Sequence, residues 1–168
     1  MDKDVIVHSN GTLICNGKQY RCALGKEGVR VDKREGDGAT PVGNFSMRKV
    51  FFRPDKFAKA PQTALPVIAL SPEDGWSDDV SFPEYNTFVQ LPYAGSHERL
   101  WREDNVYDII VPLGYNDDPP VSGLGSAIFM HVASENYTPT AGCVALSQED
   151  LLKILSAVDA STQVRITE

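Results

Sequence analysis

The stretch that decides the reading is "IFMHVASENYTPTAGCVALSQEDLLKIL", residues 128–155. An apolar run closes on His131, and twelve residues later Cys143 follows Gly142. Ser147 is suited to cap a helix, because its hydroxyl can accept an N–H of the first turn that has no intrahelical partner. Glu149 and Asp150 complement the positive end of that helix. Leu151, Leu152, Ile154, Leu155 and Val158 then recur at helical spacing. The stretch therefore predicts a buried strand over 126–132, a loop, and an amphipathic helix.

Upstream, the pattern is β. Residues 4–24, "DVIVHSNGTLICNGKQYRCAL", carry two Asn-Gly pairs between short β-prone runs. Asn-Gly suits type I′ hairpin turns, so a three-stranded meander is expected, with His8 at the end of its first strand. Residues 24–54 are rich in glycine, and Thr40-Pro41-Val42-Gly43 marks a tight turn before a strand over 44–52. A phosphate-binding loop is excluded there: no helix follows and no Gly-Lys-Ser/Thr ends it. Six prolines between 54 and 92 rule out long helices, leaving loops with short strands near 66–70 and 86–91. Residues 96–113 predict a helical turn and then a strand over 107–111, and "TQVRIT" reads as a last strand. The fold class is mainly β, sandwich-like mixed sheets with one helix packed after the cysteine loop, in a single domain over residues 1–168.

Bulk properties narrow the function. A chain of 168 residues can bury roughly 70% of its unfolded surface without disulfides or metals. Its net charge of −7 comes without an offsetting basic stripe, which disfavours nucleic acid and anionic membranes as partners. No apolar run is long enough to cross a bilayer. "MDKDVIVHSNG" lacks the basic start and long apolar stretch of a secretory signal, so a cytosolic location is expected, with the periplasm as the alternative. Cys15, Cys22 and Cys143 are odd in number and read as free thiols, the first two as core residues. No metal or cofactor is implied: no histidine cluster accompanies the cysteines, and Asp117-Asp118-Pro-Pro lacks calcium-loop spacing. Oligomeric state leaves no mark.

Spacing alone leaves two readings of His131 and Cys143: ordinary core packing, or a catalytic pair. A nucleophilic cysteine needs a base, donors for a developing oxyanion, and access. Residues 139–142 form a tight loop that can present Cys143. N–H groups of Gly142 and Cys143 can face an oxyanion, and a strand-borne His131 can serve as base.

Three motifs in order then carry a resemblance. "GDGATPVGNF", "GSAIFMHVA" and "TAGCVALSQEDLLKIL" resemble the strand-turn, histidine strand and nucleophile loop of the L,D-transpeptidase catalytic domain (the YkuD-like family). The similarity spans most of residues 25–166. It implies that Cys143 attacks the carbonyl between a diaminoacyl residue and D-Ala, giving a thioester. It further implies that His131 moves the proton, Gly142 and Cys143 hold the oxyanion, and Thr140 shapes the loop. Three positions depart from the family pattern: Ala141 where many members carry His, Ala145 where many carry Arg or Asn, and Val132 where Gly is usual.

The expected partners are peptidoglycan-derived stem peptides or muropeptides. Without an export signal, water is the natural acceptor, and the leading expectation is L,D-carboxypeptidase action in murein recycling. The alternatives are cross-linking transpeptidation or D-amino-acid exchange, and a catalytically inactive peptide-binding module. Arg102, and less directly Arg99, are candidates to clamp a terminal carboxylate, since guanidinium binds carboxylate bidentately. Tyr93 and Trp101 are expected to wall the pocket. Ordinary surface pairing of these arginines with neighbouring acids is the competing reading.

Overall fold

A computed structural model describes residues 3–168. The chain opens with the expected meander: β1 (Val5–His8), β2 (Thr12–Cys15) and β3 (Lys18–Arg21), paired antiparallel. Asn16 and Gly17 take positive φ of 52° and 77°, as a type I′ turn requires. A short parallel ribbon, β4 (Val29–Arg30) with β5 (Thr40–Pro41), follows.

The single strand expected over 44–52 is corrected. It is two strands, β6 (Gly43–Ser46) and β7 (Val50–Phe52), in different sheets. The chain turns the sandwich corner at Met47–Lys49, where Met47 bridges Leu113 and Arg48 turns outward to pair with Asp117 at 2.9 Å. Beyond it lie β8 (Val67–Ala69), β9 (Asp74–Ser77), β10 (Phe88–Gln90) and β11 (His97–Arg99). The helical turn expected after residue 96 is therefore also corrected: His97–Arg99 pairs antiparallel with β9, which supplies the backbone partners a lone turn would lack. Then come β12 (Ile109–Pro112), β13 (Phe129–Val132), β14 (Val144–Leu146), α1 (Gln148–Ala157) and β15 (Gln163–Ile166).

Two five-stranded sheets, β3-β2-β1-β15-β6 and β14-β13-β12-β7-β8, face each other, and a three-stranded sheet, β10-β9-β11, completes the β structure. The larger core contains Val5, Leu13, Val111, Met130, Val144, Leu151, Ile154, Leu155 and Val164. Cys15 and Cys22 lie in this core as free thiols, as their apolar surroundings in sequence suggest. Ser147 caps α1 by accepting the Asp150 N–H at 3.2 Å. A second core forms on the other face of the central sheet from Phe51, Leu100, Tyr107, Ile110, Phe129 and Cys143. Strand β13 is thus buried on both faces. That explains its unbroken apolar sequence, since a strand covered on one side only would alternate.

Candidate active site

Strand register brings the histidine and cysteine to one face. Strands β13 and β14 run parallel, with Met130 opposite Val144 and His131 opposite Ala145. Side chains alternate along a strand, so Phe129 and His131 share the face away from the larger core. Cys143, one residue before Val144, falls on that face diagonally across from His131. Both are nearly sealed, at 7% exposure each, and both line a cavity of about 410 Å³. Glu98, Arg102, Tyr107 and Thr140 line it with them.

The His131 Nδ1 lies 2.9 Å from the Val132 carbonyl oxygen. A carbonyl only accepts, so the hydrogen-bond pattern assigns the proton to Nδ1 and leaves Nε2 with the lone pair. Burial pushes the imidazole below its ordinary value, against the opposing pull of the Val132 carbonyl. The ring is steadied by Tyr107, edge-on at 5.3 Å between centroids. The Cys143 S–H donates to the Ala127 carbonyl at 3.2 Å, and the Phe129 N–H donates to Sγ at 3.4 Å. Burial, and after it the charge of Glu98, pushes this thiol up to about 12. Both shifts favour the uncharged forms of the two groups that line this cavity, a thiol and a neutral imidazole.

The loop carrying the thiol is pinned on both sides. Its Thr140 N–H donates to Leu24 O at 2.9 Å, and Ala145 exchanges backbone hydrogen bonds with Ala23. The Thr140 hydroxyl donates to Cys143 O at 2.8 Å and accepts the Gly142 N–H at 3.1 Å. The Gly142 N–H, expected to hold an oxyanion, is engaged by Thr140 in the unliganded site. Glycine is required there for two reasons. Its φ is +145°, and a Cβ would sit 2.8 Å from Ala39 O. Among the described residues, no three His, Cys, Asp or Glu side chains gather to hold a metal ion.

The L,D-transpeptidase catalytic domain (YkuD) matches residues 3–166. The chain belongs to that family. The matched catalytic domain spans both His131 and Cys143. Solved structures similar to it include Mycobacterium tuberculosis L,D-transpeptidase 1, at 12% identity and a TM-score of 0.43, covering 99% of this chain and 60% of that one. The M. tuberculosis L,D-transpeptidase 3 matches at 15% identity and a TM-score of 0.47, covering 98% and 60%. A structure of the L,D-transpeptidase LdtMt1 in complex with imipenem matches at 15% identity and 0.44, covering 97% and 57%. The chain thus spans about 60% of the length of these solved chains. No curated protein matches it.

Within this L,D-transpeptidase domain, the remaining sequence expectations divide. Arg102 does reach the Cys143 cavity. It is bidentate to Asp104, through Nε at 2.9 Å and Nη2 at 2.6 Å. Arg99 and Trp101 lie outside, lining with Arg102 a separate shallow hollow; Trp101 stacks under the Arg53 guanidinium at 3.7 Å. Tyr93 is elsewhere, bonded to Ser77 Oγ at 2.9 Å and packed on Phe82 and His97. The expectation that Tyr93 and Trp101 wall the pocket is corrected: neither lines the Cys143 cavity, Tyr93 being bonded to Ser77 and Trp101 stacked on Arg53. The family departures are also placed. Val132 points into the larger core, Ala145 is buried opposite His131, and Ala141 is exposed on the cavity rim. Sequence reasoning missed Tyr107 and Glu98, whose side chains bond at 2.7 Å. The only signal was an aromatic residue just before a buried strand.

Proposed function

We propose that this domain is an L,D-carboxypeptidase acting on peptidoglycan stem tetrapeptides in the cytosol, where soluble wall fragments return for reuse. Cys143 Sγ attacks the carbonyl joining the diaminoacyl residue to D-Ala, and His131 Nε2 takes the thiol proton. The tetrahedral intermediate collapses, His131 returns that proton to the departing amine of D-Ala, and a thioester on Cys143 remains. Water then attacks the thioester, giving its proton to His131, and the tripeptide leaves with a new carboxylate. The thiol is restored by the proton held on His131. Closure of the oxyanion contacts requires the Thr140 hydroxyl to release Gly142 N–H, since that donor is engaged at rest.

The observation that carries this reading is the shared face of His131 and Cys143 in one cavity, with Arg102 on its wall. Asp104 occupies Nε and Nη2 of that arginine, so Nη1 is the atom that meets the substrate's terminal carboxylate. The test is mass spectrometry of the protein with a free tetrapeptide ending in D-Ala, alone and with excess amine acceptor. Loss of one alanine residue supports hydrolysis. A joined product identifies a transpeptidase instead. An unchanged peptide, with a Cys143 that a thiol reagent does not touch, identifies a binding module.

A further inference from the structure

Backbone groups hold the Cys143 sulfur on two sides. Its S–H donates to the Ala127 carbonyl at 3.2 Å, and the Phe129 N–H donates to it at 3.4 Å. Ala127 meets the thiol in an unusual conformation. Its φ is +54°, in the left-handed region, which costs an alanine free energy and persists only where the surroundings impose it. Asn86 imposes it: the side-chain Oδ1 accepts the Ala127 N–H at 3.0 Å.

Asn86 is buried, precedes β10, and does not line the Cys143 cavity. Its carboxamide has a full set of partners. Oδ1 also accepts the Trp76 Nε1–H from β9 at 3.0 Å, and Nδ2 donates to the Tyr115 and Asn116 carbonyls at 3.2 and 2.7 Å. Two donors face the oxygen and two carbonyls face the nitrogen, so the amide fits only one way round. Its own φ of +58° suits asparagine, which visits the left-handed region readily. Segments far apart in sequence thus fix this side chain, and its oxygen is a rigid anchor for Ala127.

We propose that Asn86 is a positioning residue for the nucleophile: through the Ala127 N–H it keeps the Ala127 carbonyl against Cys143 and fixes where the sulfur sits. Its effect on turnover rests on the acyl-transfer reading above; its hold on the thiol does not. With the sulfur anchored by the Phe129 N–H, rotation about Cβ–Sγ carries the S–H proton from Ala127 O toward His131 without moving the attacking atom. Loss of Asn86 lets Ala127 relax to negative φ, turns its carbonyl off the thiol and frees the sulfur among rotamers. Misplacing a reacting atom by about 1 Å costs on the order of 100-fold in rate. Substrate binding is spared, because Asn86 touches no part of the cavity.

Two readouts test the proposal, the first without turnover. The infrared S–H stretch of Cys143, taken as parent minus Cys143→Ala, reports the bond to Ala127. In the parent it should lie below the frequency of an alkyl thiol in an apolar solvent, as a thiol donating to a carbonyl does. Asn86→Ala should move the band up and broaden it. Adding Ala127→Gly to Asn86→Ala should bring it part of the way back, because glycine takes a φ of +54° without steric cost. The second readout is hydrolysis of a tetrapeptide ending in D-Ala. Asn86→Ala should lower kcat on the order of tenfold or more with KM nearly unchanged, and the double variant should recover part of that loss. A parent band at the unbonded frequency overturns the proposal, whether or not Asn86→Ala folds. So does a band or a kcat that Asn86→Ala leaves in place, or a loss that Ala127→Gly does not relieve. A band that behaves as stated in a protein that releases no D-Ala overturns the carboxypeptidase reading alone.

Discussion

Alkylation of Cys143 by iodoacetamide should be slow at neutral pH and rise steadily through pH 9 without a plateau. The structure sets the size of the effect. Burial carries the thiol from its ordinary 9.0 to about 12, with the Glu98 charge adding to the rise and the Phe129 N–H opposing it. At pH 7 that leaves about 1,000-fold fewer thiolates than an ordinary thiol would have. The more basic sulfur is intrinsically more nucleophilic, by roughly 15- to 30-fold over that range. The net expectation is alkylation roughly 30- to 60-fold slower than a free thiol before steric cover is counted. The assay is the pH dependence of iodoacetamide uptake at Cys143, read by peptide mass spectrometry. His131→Ala should leave this rate almost unchanged while abolishing turnover, because the base acts only once a carbonyl is in place. A plateau with its midpoint well below pH 7 would refute the reasoning, since it would reveal a preformed thiolate–imidazolium pair.

Other consequences follow from the same contacts. Gly142→Ala should abolish turnover and lower stability, read by thermal denaturation, because its φ and the Ala39 carbonyl leave no room for a methyl group. Thr140→Val should cut kcat, and Thr140→Ser should restore most of it, since the hydroxyl alone ties Gly142 N–H to Cys143 O. Alkali should destabilise the fold. Cys22 and Cys143 keep their protons to about 12 when folded, whereas the unfolded chain loses them near 9, so stability present below pH 9 falls as pH rises through that window. The slope is about 1.4 kcal/mol per pH unit for each thiol, and urea titrations at pH 8 and pH 10.5 with Cys22→Ala as comparison would expose it. The His131 value is lowered, so the acid limb of kcat/KM should fall below pH 6.5 rather than at it. Ser147→Ala should cost about 1 kcal/mol by chemical denaturation.

The sequence disclosed those parts of the fold that depend on local chemistry. The Asn16-Gly17 turn, the Ser147 cap and the stripe of Leu151, Ile154 and Leu155 are all local, and the structure shows each where the residues suggest. Corners and sheet partners are not local. Residues 44–52 carry no mark of the change of sheet at Arg48, which is set by Leu113 and Asp117, far along the chain. The strand at His97–Arg99 is polar, and only its pairing with β9 makes it a strand. The same division runs through the site. Cys143 and His131 were legible because one short loop joins their strands. Glu98 and Tyr107 were hidden because only tertiary packing brings them to the cavity, and Tyr93 and Trp101 were misplaced because proximity in sequence to Arg102 does not fix their direction.

The central claim is that Cys143 takes an acyl group from an amide with His131 as its base. Intact-protein mass spectrometry after rapid mixing with a tetrapeptide ending in D-Ala tests it most directly. The account predicts a transient adduct equal to the tripeptide acyl group, mapped to Cys143, absent in Cys143→Ala, and decaying as free tripeptide appears. Release of D-Ala by Cys143→Ala at the parent rate, or an adduct mapped to any other residue, would contradict it.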